Sequence, residues 1–174
     1  VVNNNFVLLS GAEQMWGAVN TIVNDDCVLT GHITDCIGYM SELKDAGIDI
    51  IGKKKTIVGA GGAATAIQVQ AAHDRVKEIS IFNRKDEFYE IAQKTVKDIN
   101  EKTNCKATLY DLEDLDKLKE EIASSYIFTN ATGMGMKPLE GQTYIPDKSF
   151  LREDLIVTDV VYAPAETALL KMAK

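Results

Sequence analysis

The chain reads as an α/β protein built on a doubly wound parallel sheet, and three observations carry that reading. The first is the stretch KKKTIVGAGGAATAIQVQAA at residues 53–72. There a short apolar run breaks at Gly59-Ala60-Gly61-Gly62 and gives way to a long run of small, helix-compatible residues. The second is a further apolar run, Ile79-Ser80-Ile81-Phe82, which ends in the polar cluster Asn83-Arg84-Lys85-Asp86. The third is the alternation of strand-like and helix-like segments from there onward, which argues for a parallel sheet covered on both faces. A Rossmann-like sheet of this kind gathers its ligands beyond the carboxyl ends of its strands.

The glycine break reads as strand, tight turn, helix. Gly59 permits the turn, Gly61 lets a pyrophosphate approach the backbone, and Ala64, where a third glycine often stands, keeps helix and strand close. The free N–H groups at Gly62, Ala63 and Ala64, with the positive end of the helix dipole, then face phosphate beside Ala60. The same glycines also fit a turn that serves only as a tight connection. At 83–86 the second strand ends where residues of such a fold reach an adenosine ribose. Arg84 and Lys85 suit a ribose 2′-phosphate or a face of adenine, whereas Asp86 suits free ribose hydroxyls and repels a phosphate. That mixture favours NAD, with tolerance of NADP. A solvated charged turn ahead of a helix starting near Asp86 is the other reading.

Before the glycine turn, residues 17–23 and 27–30 form two apolar runs around the turn signal Asn24-Asp25-Asp26, a small hairpin. From Asp35 to Ala46, the residues Ile37, Met40, Leu43 and Ala46 recur at three-residue steps, which predicts an amphipathic helix ended by Gly47. After the second strand, 86–102 carries Phe88, Ile91, Ala92, Thr95, Val96 and Ile99 on one helical face. Residues 107–110 read as a third strand, 114–123 as a short charged helix, 126–130 as a fourth strand, and 155–161 as a fifth. A loop and a final helix follow.

Composition bounds the function. With 174 residues, 45% of them hydrophobic, the chain can bury a real core. A formal net charge of −7 argues against nucleic acid or an anionic membrane as the main partner. The three cysteines, Cys27, Cys36 and Cys105, show no metal-ligand spacing and fit reduced thiols, so no metal is expected and a cytoplasmic location is. No apolar run approaches the roughly 20 residues that span a bilayer. The chain opens VVNNNFVLLS without an initiator methionine and stops at ALLKMAK without a cap, which reads as part of a longer polypeptide.

Six motifs in series resemble the shikimate/quinate dehydrogenase family: GAVNTIV at 17–23, G-H-x-T-D at 31–35, VGAGGAA at 58–64, FNR at 82–84, TNATGMGMKP at 129–138 and VTDVVYAPAETALL at 157–170. FNR-x-D-x-F at 82–88 and GMKPLE at 135–140 resemble the dual shikimate/quinate subgroup most closely. The resemblance implies reversible oxidation of shikimate to 3-dehydroshikimate by a nicotinamide cofactor, in chorismate formation or quinate use, with quinate as a candidate second substrate. It implies the end of an N-terminal substrate domain at 1–34, a linking helix at 35–52 and a cofactor domain at 53–174, with a homodimer as a candidate assembly.

Residue by residue, the resemblance carries substrate contacts onto Asn20 and Asp35, with Asp35 in proton transfer beside a lysine expected upstream. Here no lysine precedes Lys44. A carboxylate beside an amine can orient a hydroxyl and share its proton. Asp35 also suits a helix N-cap, and Asn20 also suits local backbone bonds. The segment Val160, Val161, Tyr162 and Ala163 corresponds to one that contacts the nicotinamide end, with Ala163 in place of a common Asn. Thr132 and Gly133 lie at the same rim. Lys137 reads as a cofactor contact or a solvated loop lysine, and Met134 and Met136 as packing against a nicotinamide or as core. Ile33 stands where the family usually has Asn. Two other readings remain, a non-catalytic NAD(P)-sensing module and another dehydrogenase sharing the cofactor domain.

Overall fold

The computed structural model describes residues 8–9, 21–26, 28–32 and 34–174, with the backbone alone for Leu8, Leu9 and Asp35. Among these residues the chain forms two sheets. In the smaller, β1 (Leu8–Leu9) runs parallel to β3 (Val28–His32), and β2 (Thr21–Asp25) pairs antiparallel with β3. Asp25 faces Val28 across the hairpin, and Asp26 takes φ 47°, a left-handed conformation that aspartate tolerates in tight turns.

Helix α1 (Asp35–Asp45) follows, with Thr34 rather than Asp35 at its N-cap position. Its buried side is Cys36, Tyr39, Met40 and Leu43, while Ile37 is 56% exposed and Ala46 lies on the surface. This corrects the three-residue stepping read from the sequence. At about 100° per residue, nine positions bring Ile37 and Ala46 to opposite sides of the helix. The face that packs follows the i, i+3, i+4, i+7 row instead. Gly47, at φ 73°, then closes the helix, as expected.

The larger sheet contains β4 (Lys54–Val58), β5 (Glu78–Asn83), β6 (Lys106–Asp111), β7 (Ile127–Asn130) and β8 (Ile156–Asp159), all parallel and in the order β6-β5-β4-β7-β8. Helices α2 (Gly62–His73), α3 (Tyr89–Lys102), α4 (Leu115–Ala123) and α5 (Ala168–Ala173) complete the alternation. Strand residues point alternately to two cores. Ile57, Ile79, Ile81 and Ile127 join α1, α2 and α3 in one, and Val58, Phe82 and Phe128 join α4 and α5 in the other. The doubly wound parallel sheet expected from the sequence is therefore present. Helix α3 starts at Tyr89, three residues later than expected from Asp86, because Asp86 closes a turn by accepting from the backbone N–H of Phe88 at 3.0 Å. Its buried face is Ala92, Thr95 and Ile99, and Phe88 and Ile91 are largely exposed.

Candidate cofactor cleft

The sheet order sets where a ligand can sit. The chain leaves β4 for β5 on one side and later returns to place β7 on the other, so the loops after these two neighbours diverge and leave a crevice. There the structure has a cleft of about 470 Å³, lined by the glycine turn, the β5 exit and the segments following β7 and β8.

The turn is held from several directions. Gly59 has φ 114°, and its N–H donates to the carbonyl of Phe82 at 2.8 Å. A Cβ at Gly59 would stand 2.6 Å from the Ala131 carbonyl oxygen and 2.9 Å from Thr132 Cγ2, so both conformation and space require glycine there. The Gln68 amide donates back to the Gly59 carbonyl at 2.8 Å and ties the turn to α2. Gly61 caps α2 without any side-chain bond, and the first helical N–H with a helical acceptor is that of Thr65, bonded to Gly61. The N–H groups of Gly62, Ala63 and Ala64 thus lie in the turn that helix geometry leaves without intrahelical acceptors. No acidic side chain occupies that turn, and a Cβ on Gly61 or Gly62 would meet no protein atom. These features fit an anionic phosphate brought close to the backbone. Ala64 does not line the cleft and is fully buried between helix and sheet.

At the β5 exit, Asn83 donates to the Arg84 carbonyl at 2.8 Å and to Asp86 Oδ1 at 3.0 Å. Asp86 therefore shapes this loop while lining the cleft. The Arg84 guanidinium lies over the Tyr144 ring, 5.3 Å from its centroid, and donates to the Tyr144 hydroxyl at 2.8 Å. Lys85 turns away and pairs with Asp111 at 2.8 Å. On the other side stand Ala131, Thr132, Gly133, Met136, Val160, Val161 and Tyr162, the last 86% exposed.

Of the residues singled out in sequence, Gly59 to Ala63, Asn83, Arg84, Asp86, Thr132, Gly133, Met136 and Val160 to Tyr162 line this one cleft, and Ala64, Lys85, Met134, Lys137 and Ala163 do not. Phe88, Leu112, Ala131 and Tyr144 line it too. The hydrophobic pattern assigned Phe88 to a helix face, and Tyr144 arrives from an irregular stretch whose path no local signal announces.

No protein-family model matches the chain. Shikimate dehydrogenase (NADP(+)) of Listeria innocua is 67% identical over 166 residues, which is 95% of this chain and 57% of that protein. A crystal structure of shikimate 5-dehydrogenase from Listeria monocytogenes in complex with shikimate and NAD superposes with a TM-score of 0.92 at 65% identity. That match covers 97% of this chain and 58% of the other. The chain belongs to the shikimate/quinate dehydrogenase family. Within that family, quinate dehydrogenase from Corynebacterium glutamicum in complex with NAD is more distant, 31% identical with a TM-score of 0.81 over 95% of this chain and 56% of its own. The chain spans about 57% of the length of the curated relatives it matches. Of the positions to which the family pattern assigns substrate contact, Asn20 lies outside the described residues, as does Ile33. Asp35 is described by its backbone, as the first residue of α1.

Proposed function

We propose that this chain carries the dinucleotide site and part of the substrate site of an enzyme that interconverts shikimate and 3-dehydroshikimate, using NAD in preference to NADP. Quinate and 3-dehydroquinate form a second substrate pair. The observation that carries this reading is the glycine turn at the switch point of the sheet, with an open helix N-terminus on one side and Arg84 and Asp86 on the other. The relatives' names support a nicotinamide dinucleotide and are divided between NADP(+) and NAD; the preference for NAD rests on Asp86.

In this reading residues 1–34 end a substrate domain, 35–52 link it to the next, and 53–174 hold the cofactor. The N-terminal turn of α2 binds the pyrophosphate. Arg84 lies against the adenosine end, and Asp86 accepts from its ribose hydroxyls. Thr132, Val160 and Val161 border the nicotinamide end, where the bound ring supplies the hydride acceptor. Asn20 and Asp35 hold substrate hydroxyls, and Asp35 orients the reacting hydroxyl while a lysine on the same protein takes its proton. The protein acts in the cytoplasm as a homodimer. Among the described residues no helix is long and apolar enough to cross a membrane.

The test is steady-state oxidation of shikimate and of quinate, each with NAD and with NADP, by the protein carrying this chain. Turnover with either acid supports the reading and ranks the pairings. Cofactor binding without turnover of either acid shifts it to an NAD(P)-sensing module or a dehydrogenase of another alcohol. Asp35→Ala is expected to cut turnover by about 100-fold or more while cofactor affinity persists; unchanged turnover removes Asp35 from proton transfer. Asp86→Ala is expected to lower the NAD:NADP affinity ratio, and an unchanged ratio removes Asp86 from discrimination.

A further inference from the structure

The cleft is held in two halves by different means. On the β5 side the backbone of the strand exit is fixed locally, through Asn83 and Asp86, and the Arg84 side chain is held by Tyr144. On the β7 and β8 side three separate segments meet on one carboxylate. Asp159, the last residue of β8, accepts at Oδ1 from Asn130 Nδ2 at 2.9 Å and from the backbone N–H of Val161 at 3.0 Å, and at Oδ2 from the Thr167 hydroxyl at 2.7 Å. Three donors converge on an acceptor-only group, an arrangement that matches an ionised carboxylate.

Each donor extends the reach of Asp159. The other N–H of the Asn130 amide donates to the Met134 carbonyl at 3.0 Å, and its oxygen accepts from the Thr132 hydroxyl at 2.7 Å. The Thr132 hydroxyl oxygen in turn accepts from the Met134 N–H at 3.0 Å. Thr167 accepts from the N–H of Leu170 at the start of α5, and Gly135, at φ 97°, leaves only 3.4 Å between a would-be Cβ and the Thr167 side chain. Thr132, Val160 and Val161 line the cleft, whereas Asp159, Asn130 and Thr167 stand behind them.

We infer that Asp159 is a positioning residue for the non-adenylate half of the dinucleotide, setting the walls formed by Thr132 to Met136 and by Val160 to Tyr162 without touching the ligand. The inference rests on the cofactor site proposed above. Because β4 separates the two halves of the cleft, the adenylate half is independent of Asp159. Losing the carboxylate should weaken binding of the whole dinucleotide and spare a ligand that lacks the nicotinamide. An amide at 159 should restore the wild-type pattern. Its oxygen still accepts from Asn130 and Val161, and its NH2 can donate to Thr167.

Calorimetric titration of the protein carrying this chain with NAD and with ADP-ribose tests this. In the parent, NAD should bind more tightly than ADP-ribose. Asp159→Ala should lose about tenfold in NAD affinity, the loss expected for broken bonds to a charged acceptor, while ADP-ribose affinity stays within about twofold. Asp159→Asn should match the parent for both ligands. Thr167→Val, which removes the Oδ2 partner together with the cap on the Leu170 N–H but leaves the carboxylate and its two Oδ1 donors in place, should show a smaller loss confined to NAD and keeps the test alive if Asp159→Ala fails to fold. In turnover, Asp159→Ala should lower kcat and raise KM for the dinucleotide, leaving KM for the acid substrate nearly unchanged. Equal losses for both ligands, or none, overturn the inference and leave the cofactor site standing. A parent that binds NAD no more tightly than ADP-ribose also overturns it. A parent that binds neither ligand removes the cofactor site itself.

Discussion

Lys54 and Lys55 are adjacent in β4, and the strand sends them to opposite faces of the sheet. Lys54 meets α4. Its ammonium contacts Glu121 at 2.6 Å, Ser124 at 2.8 Å and Glu78 at 3.3 Å. Burial alone would lower the Lys54 pKa, but the two carboxylates outweigh it and raise it. Lys55 meets α1 and finds only hydroxyls, the phenol of Tyr39 and Oγ1 of Thr129, each at 2.7 Å, with the Tyr39 ring 4.6 Å away. It is 1% exposed, and burial lowers its pKa. What differs is the helix lying across the strand. A carboxylate there makes the half-buried Lys54 a firm cation, and hydroxyls alone leave the charge of the buried Lys55 costly.

The largest expected effect comes from removing the anion. Glu121, only 5% exposed, also accepts from Ser80 at 2.6 Å and pairs with Lys117 at 3.1 Å. Glu121→Ala removes the acceptor of Ser80 and the nearer of the two carboxylates on Lys54, and should destabilise by about 2–4 kcal/mol, read as a lower urea midpoint at unchanged m. A change below about 0.5 kcal/mol would mean that the pair contributes nothing to stability.

On the opposite face the sign reverses. Lys55→Met removes a buried ammonium of similar length and leaves Tyr39, Thr129 and Thr158 bonded to one another at 2.8–2.9 Å. It should stabilise the protein by about 1–2 kcal/mol at neutral pH. Because the folded Lys55 pKa is depressed below the ordinary lysine value of 10.5, the unfolded state binds more protons just below that pH. This residue's contribution to stability therefore rises as pH climbs toward 10.5, and Lys55→Met should flatten that slope. A Lys55→Met variant that is less stable, with the alkaline slope intact, would reverse the comparison.

Acid sharpens it from the other side. Burial pushes the Glu121 carboxyl up, but hydrogen bonds from Lys54, Ser80 and Lys117 hold it at about 2 against the ordinary glutamate value of 4.5. The stability that this depression contributes is complete above 4.5 and is lost as pH falls from there through about 2. Glu121→Gln should lose that part of the acid transition, whereas Lys55→Met should retain it. The smallest effect expected is that of Thr158→Val, which removes one hydroxyl from the Lys55 group and should cost about 0.5–1.5 kcal/mol in the same urea experiment.

The sequence shows three lysines ahead of an apolar run and nothing of this contrast, because partners on α1 and α4 are invisible to a local pattern. The glycine turn was legible because φ, space and helix start all act within a few residues of Gly59. The β5 exit was legible by its distance from that turn. Asp159 was hidden as the polar end of an apolar strand, and its partners Asn130 and Thr167 reach it only once β7 and β8 are paired. On α1, three-residue steps named the wrong row, because Cys36 and Tyr39 carry packing that a hydrophobic count undervalues. The two residues expected to touch substrate were legible only through the family pattern, since Asn20 also suits local backbone bonds and Asp35 also suits a helix start.

The close approach of Ala131 to Gly59 has a bearing on any attempt to transplant the cofactor turn. Position 59 is constrained by the backbone of another strand's exit, so the turn is a joint between β4 and β7 as well as a cradle. A nucleotide loop borrowed from another protein would fit only if the start of the β7 loop travelled with it, and the smallest exchangeable unit is that pair.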